Sequence, residues 1–419
     1  PSMRPTASQI RRKIELYEET GSWVKNAQKQ KIIYGVVALL SLVMCAGIYF
    51  WDYNRTKIQY YKDYAEVWAI PEGIGRLSEN EMSHREETYR FEYRQHKLLR
   101  VSLVNGYGKV IDHSDTEGIR SRFSDAQFFY TADGKVDYKI IYDKCGKVLY
   151  KMDYDGELNT VTFRLNDKYG TEMYLSASTT DLTNSSSLLE SRSSISRYLL
   201  QFDESGYLTR INYVGQGNVP RGDADNVYGL EYEHDSKGRI TVEKFLGADD
   251  KITCNKIGLA IKEFEYDDDD NCIKASYFNT EHKASDDGNG ATVYKYTQDK
   301  YGNRITQTHW TIDDKPTVLK GSGIYGVRNV YDEHGCNVRT EFIDKEGKLM
   351  FNSAGYAVSV TEFDENGFET KNYFLDDKEK RVSAQYDNNA FGMVVTKKNE
   401  HGQNLEVAFF DEFDNKIEN

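Results

Sequence analysis

The apolar positions along this chain follow two periods. Residues 32–51 (IIYGVVALLSLVMCAGIYFW) form an uncharged block of twenty residues, which at the helical rise spans about 30 Å, the hydrocarbon thickness of a bilayer. Much of the second half instead alternates every second residue. Tyr356, Val358 and Val360 are interleaved with Ala357, Ser359 and Thr361, the period of a half-buried strand. The block predicts one membrane helix, and the alternation predicts a chain of short strands.

Turn residues punctuate the strands at a nearly fixed interval. Gly206, Gly238, Asp270, Gly302, Gly335, Gly367 and Gly402 are separated by 32, 32, 32, 33, 32 and 35 residues. Three positions before each stand Asp203, Asp235, Asp267, Asp299, Asp332, Asp364 and Asn399. Asp and Asn accept hydrogen bonds from the backbone of their own turn, and Gly takes the positive φ that other residues resist. A fixed period of this size marks a repeat array, in which each unit buries its apolar face on its neighbours. Within the stretch 327–364, a second acidic turn ending at Gly347 follows Gly335 by 12 residues, and Gly355 marks a third. The predicted unit is therefore strand, turn, strand, turn, strand. The third glycine recurs as Gly258 and Gly290, and a looser register continues N-terminally through Gly134, Gly146 and Gly170. There are only 5 Pro but 32 Tyr, a balance that suits pleated sheets, since Pro removes a ladder donor.

These repeats resemble the YD-type repeats of bacterial surface and secreted proteins, where an aromatic-Asp pair precedes a Gly turn. Phe202-Asp203, Tyr266-Asp267, Tyr331-Asp332 and Phe363-Asp364 fit, whereas His234, Gln298 and Lys398 replace the aromatic and Asp270 replaces the Gly. The resemblance implies a mostly β fold, an elongated array of antiparallel β-hairpins of about 32 residues, with a binding or display role. In that fold the turn residues Asp203, Gly206, Asp235, Gly238, Asp299, Gly302, Asp332, Gly335, Asp364 and Gly367 are structural.

Six basic residues precede the apolar block (Arg11, Arg12, Lys13, Lys25, Lys29, Lys31) and three follow it (Arg55, Lys57, Lys62). The positive-inside bias places the N-terminus in the cytoplasm and the repeats in the periplasm or outside the cell. Ahead of the block, Arg4-Pro5-Thr6-Ala7 leads into a short charged helix bearing Ile10, Ile14 and Leu16. This order resembles the last sequence block of eukaryotic-like protein kinases, in which the arginine matched by Arg4 is a structural residue of the C-lobe. With a basic linker, one span and an outside domain following, the resemblance implies a bacterial serine/threonine kinase whose catalytic part is not in this chain. A plain cytoplasmic tail is the alternative.

The expected divisions are a kinase-lobe end or tail at 1–24, a basic linker at 25–31, the span at 32–51, a connector at 52–89, irregular repeats at 90–175, a Ser/Thr-rich insert at 176–197 and regular repeats at 198–419. The connector reads as a helix continuing from the membrane over Tyr53–Trp68, with Ile58, Tyr61, Ala65 and Trp68 on one side and a break at Pro71-Glu72-Gly73.

Candidate chemistry adds little. Gly321 to Gly326 matches G-x-G-x-x-G, but no helix follows, so it reads as a turn. The run Asp267–Asn271 offers hard oxygen ligands without the spacing of a calcium loop. Arg221-Gly222-Asp223 reads as turn chemistry. No catalytic constellation, cofactor motif or metal-ligand spacing stands out. Cys254 and Cys272 fall in one unit and are open to pairing or to service as core fillers. The net charge of −13 argues against nucleic acid as a partner. The expected partners are a membrane through Ile32–Trp51, an extracytoplasmic protein or cell-wall glycan, and a second copy of the chain. Sensing coupled to a kinase is the leading function; surface display or adhesion without signalling is the other.

Overall fold

The computed structural model describes residues 6–112, 124–156, 159–165, 171–172, 195–386 and 389–417. Arg4, Gly170 and residues 173–194, which hold most of the Ser/Thr-rich insert, lie outside the described residues. The chain divides into two compact units, Pro1–Lys57 with Arg94–Lys97, and Ile58–Tyr93 with Leu98–Asn419.

The first unit is dominated by one helix of 48 residues, α1 (Ala7–Asn54). Thr6 and Gln9 form a capping box at its start, so the backbone donors of the first turn find partners. Its apolar stretch Lys31–Asn54 is 24 residues long, and none of it is buried within the protein. At the other end the Arg55 amide closes on the Trp51 carbonyl at 2.9 Å, and Arg55 itself is extended. Gln95 donates from its side chain to Asn54 Oδ1 at 2.8 Å, and the His96 ring lies 5.7 Å from that of Tyr53.

The helical connector is not present. The helix stops at Asn54, and β1 (Lys57–Val67) and β2 (Ile70–Leu77) form an antiparallel hairpin. Its two-residue turn, Trp68-Ala69, has φ of 48° and 64°, the geometry that matches strand twist in tight hairpins. Ile58, Tyr61, Ala65 and Trp68 do follow helical spacing, but Tyr60, Tyr61 and Tyr64 sit equally well on a pleat, and pairing to β2 decides. Gly73 stands opposite Tyr64, and a Cβ there would lie 2.2 Å from the Tyr61 ring. The helix α2 (Glu79–Met82) follows, capped by Ser78, and then β3 (Thr88–Arg94) and β4 (Lys97–Val104).

Among the described residues from 125 onward the strands run as antiparallel hairpins of a 23-stranded sheet, except for the separate short pair Ala384–Tyr386 and Asn389–Phe391. In the regular region the hairpins begin with Arg197–Phe202 and Leu208–Val214 and end with Met393–Lys398 and Asn404–Phe410. Pairing within a hairpin is extensive, as between Gly326–Tyr331 and Asn337–Ile343, where six residue pairs form. Between hairpins only three do, Arg339↔Val360 to Glu341↔Val358. This unit thus holds two strands rather than three: the third expected strand, 348–351, contributes only the bridge Ile343↔Leu349, whereas in the next unit Arg381–Val382 forms a two-residue strand against Phe374 and Leu375.

The apolar core differs along the array. Between Tyr64 and Tyr296 most buried apolar side chains join into one large cluster, with Phe91, Val101 and Phe163 wholly inaccessible, and Ala260, Ile261 and Phe278 form a small separate one. In the later repeats two small clusters form, one around Tyr356 and Phe374 and one around Ala357, Val358 and Leu375. Alternation along a strand sends successive residues to opposite faces, and Phe374 and Leu375 accordingly fall in different clusters, whereas Ala357 and Val358, where the strand begins, share one.

Candidate functional site

The turns come first, because they position everything else. In each regular unit the carboxylate or amide oxygen of the Asp or Asn accepts backbone amides two and four residues on. For Asp332 these are His334 and Cys336, both at 2.9 Å; for Asp299, Tyr301 and Asn303 at 2.8 and 2.9 Å. Asp203, Asp235 and Asp364 make the same pair of bonds at 2.8–3.0 Å. The fourth turn residue is left-handed throughout, with φ of 91° at Gly206, 82° at Gly238, 66° at Asp270, 91° at Gly302, 75° at Gly335 and 74° at Gly367 and Gly402. A bulge falls next to most of these turns, for example at Val330/Tyr331, which is a type I turn closed by a bulge.

The residue before the Asp has a separate task. Tyr266 donates its hydroxyl to the Ile240 carbonyl at 2.8 Å and Tyr331 to Arg304 at 3.1 Å, each reaching back to the preceding hairpin. Gln298, a departure from the aromatic pattern, does the same with its amide, to the Cys272 carbonyl at 2.6 Å. A glutamine can serve here because its amide reaches the equivalent carbonyl to that met by a tyrosine hydroxyl, whereas Phe202 and Phe363 fill the position without a donor.

A second row of left-handed residues lies 12 positions beyond the first, and sequence reading found only Gly347 in the regular region. It comprises Asn218, Asp250, His282, Asp314, Gly347, Glu379 and Asp414, with φ between 56° and 78°. Only one is glycine, so a glycine register is blind to the rest.

The N-terminal hairpins lie along the first row of turns. The Trp68 amide donates to the Gly206 carbonyl at 2.9 Å, and Lys62 Nζ to the Asp269 carbonyl at 2.6 Å. Further along, the Glu86 amide donates to Asn303 Oδ1 at 2.9 Å, Asn303 Nδ2 to the His84 carbonyl at 2.8 Å, and Asn105 Nδ2 to the Asn366 carbonyl at 2.9 Å. Arg85 Nη1 donates to the Tyr301 carbonyl, and His84 Nδ1 meets that of Glu333. The rings of His84 and Tyr301 stack at 4.5 Å and those of Tyr107 and His334 lie 4.4 Å apart. This seam brings Arg85 and Glu86 beside Cys336 and Tyr331.

Burial governs their charges. It pulls Arg85 down to about 10 despite nearby Asp299 and Glu87, and pushes the Glu86 carboxyl up to about 7, with Glu87 adding to the rise and the Tyr331 hydroxyl, 3.0 Å away, opposing it. Burial also pushes the Cys336 thiol up to about 12, so that it stays protonated and unreactive while covered. Away from the seam, Lys139 Nζ sits 3.7 Å from Glu66 Oε1 with both largely buried; burial opposes the charge, but Glu66 and Tyr154 hold the ammonium above its ordinary range.

The remaining candidates resolve into turn chemistry. Asp223 of Arg221-Gly222-Asp223 accepts the Asp225 and Val227 amides at 2.8 and 2.9 Å. Asp270 is paired with Lys237 at 2.7 Å and Arg239 at 3.0 Å, and no cluster of metal-ligating side chains occurs among the described residues. Gly326 opens a strand rather than a helix, and Cys254 and Cys272 are free thiols. Several aromatic faces are covered by cations of the same sheet, as Tyr296 by Arg304 at 4.2 Å and Trp310 by Lys295 at 4.4 Å.

No protein-family model matches the chain, and no curated protein matches it. Among solved structures, a crystal structure of TcdB2-TccC3 is similar at 13% identity over 84% of this chain and 22% of that one, with a TM-score of 0.25. The Tc holotoxin pore of Photorhabdus luminescens, with a TccC3 variant, is similar at 11% identity over 78% and 18%, with a TM-score of 0.23. The chain therefore spans 18–22% of the length of these structures. The YD-like character of its repeats rests on its own turns: an Asp or Asn that accepts its turn's amides and a left-handed residue three positions on, preceded in several units by an aromatic residue.

Proposed function

We propose that this chain is a membrane-anchored β-repeat module that displays its sheet outside the cytoplasm of a bacterial cell and binds a protein or cell-wall glycan there, passing the event to a cytoplasmic serine/threonine kinase. The observation that carries the anchor is the 24-residue apolar stretch Lys31–Asn54, which buries nothing within the protein and so requires another apolar medium. The binding role is supported by the regular sheet, whose turns and inter-strand ion pairs keep a large surface ordered. Cations on Tyr296 and Trp310 leave less aromatic face for sugars, which favours a polypeptide ligand.

The kinase attachment rests on the resemblance around Arg4 and on the order of linker, span and outside domain. Two experiments test it. Reading the coding sequence immediately upstream of Pro1 should reveal a kinase lobe with its catalytic and metal-binding aspartates; a start codon there instead would remove the attachment. In the parent, deletion of everything after residue 70 should change cytoplasmic phosphorylation. Unchanged phosphorylation across growth conditions and added wall fragments would leave a display module without signalling.

A further inference from the structure

The half-buried carboxyl of Glu86 is on the seam but holds none of its turns together. Its own segment faces it with Glu87 and with Arg85, whose charge is already engaged by the Tyr301 carbonyl and Asp299. From the repeats, the Tyr331 hydroxyl lies 3.0 Å from it, Arg304 stands near, and the covered Cys336 thiol is close enough to feel its charge. The same short segment packs so tightly that a Cβ on Gly335 would fall 2.3 Å from the Arg85 carbonyl carbon. A carboxylate formed here loses part of its water beside a second carboxylate.

We propose that residues 84–88 form a pH-responsive clasp on the turn row, closed when the Glu86 carboxyl is neutral and released when it ionises. The direction follows from linkage: a carboxyl raised from the ordinary 4.5 to about 7 favours the closed form fully below the lower value and ceases to do so as pH rises through the higher one. The clasp holds whether or not a kinase is attached, since it concerns only the second unit.

Cys336 reports on the clasp because it is 7% exposed when covered. The full chain in detergent micelles, as wild type and as Glu86→Gln, is alkylated with iodoacetamide at pH 5.5 and pH 8.5, and labelling of Cys336 is read by peptide mapping. The general rise in thiolate with pH is common to both chains. The ratio of labelling, wild type over variant, should rise by about tenfold or more from pH 5.5 to pH 8.5, because each pH step up to the raised value adds up to tenfold to the open form. A direct effect of the Glu86 charge on the thiol runs the other way, slowing the wild type. A ratio that stays level or falls over this interval overturns the proposal. Should Glu86→Gln not fold, amide exchange of residues 84–88 in the wild type decides: protection, corrected for intrinsic rate, should fall between pH 5.5 and 8.5, and constant protection overturns it.

Discussion

Alanine at Gly335 and at Gly347 separates backbone conformation from close approach. The two glycines have nearly the same φ, 75° and 78°, so each substitution carries the left-handed penalty of about 1–2 kcal/mol. Their surroundings differ. At Gly347 nothing lies within 4 Å of the added carbon, whereas at Gly335 the backbone of Arg85 lies at 2.3–2.7 Å. A backbone cannot swing aside as a side-chain tip can, so residues 84–87 must lift, loosening the Glu86–Asn303 and Asn303–His84 bonds of 2.9 and 2.8 Å. Overpacking of this kind adds about 1–3 kcal/mol. The Gly335 variant should therefore be less stable than the Gly347 variant by about that amount in urea unfolding of the full chain in micelles. Because repeat arrays open locally, amide exchange at 84–88 and 332–336 should show the loss first. Equal destabilisation, with unchanged exchange at 84–88, would refute the seam.

Other outcomes follow from the same geometry. Glu66→Ala should destabilise by about 3 kcal/mol or more in thermal melts, since it removes the carboxylate paired with the buried Lys139 ammonium, whereas Lys283→Ala, which breaks an exposed pair with Glu281, should stay within about 0.5 kcal/mol. Gln298→Leu should loosen one hairpin from the one before it, read as faster exchange around Cys272, while Gln298→Tyr should preserve protection. The Asp235 and Asp267 carboxyls are raised by burial but drawn below their ordinary range by Arg239, Asn271 and turn amides. Their stabilisation is complete above about pH 4 and lost on acidification through their lowered values, so Asp235→Asn should flatten the acid limb of a pH–stability curve, and an unaltered limb would count against it.

Much of the fold is legible in the sequence because one row of turns uses Asp and Gly at fixed spacing, and both residues have a geometric reason to be there. The parallel row is invisible because Asn218, His282 and Glu379 reach the left-handed region without being glycine. The segment Tyr53–Trp68 reads wrongly as helix because Ile58, Tyr61, Ala65 and Trp68 satisfy a helical period by coincidence, and only the pairing with Ile70–Leu77 selects the strand. The seam has no sequence signal at all. His84 and Glu333 are 249 positions apart, and no local pattern announces that a turn 32 residues from its neighbours will receive an N-terminal loop. Glu86 likewise looks like an ordinary surface acid until that packing removes part of its water.

The central claim is that Lys31–Asn54 crosses a membrane and delivers the repeats to its far side. Reporters fused after residue 419 and before residue 20, expressed in bacterial cells, test it most directly. An enzyme active only outside the cytoplasm should work at the C-terminal position and be silent at the N-terminal one, with a cytoplasm-dependent fluorophore giving the converse. The opposite pattern, or both ends reporting from the cytoplasm, would contradict it.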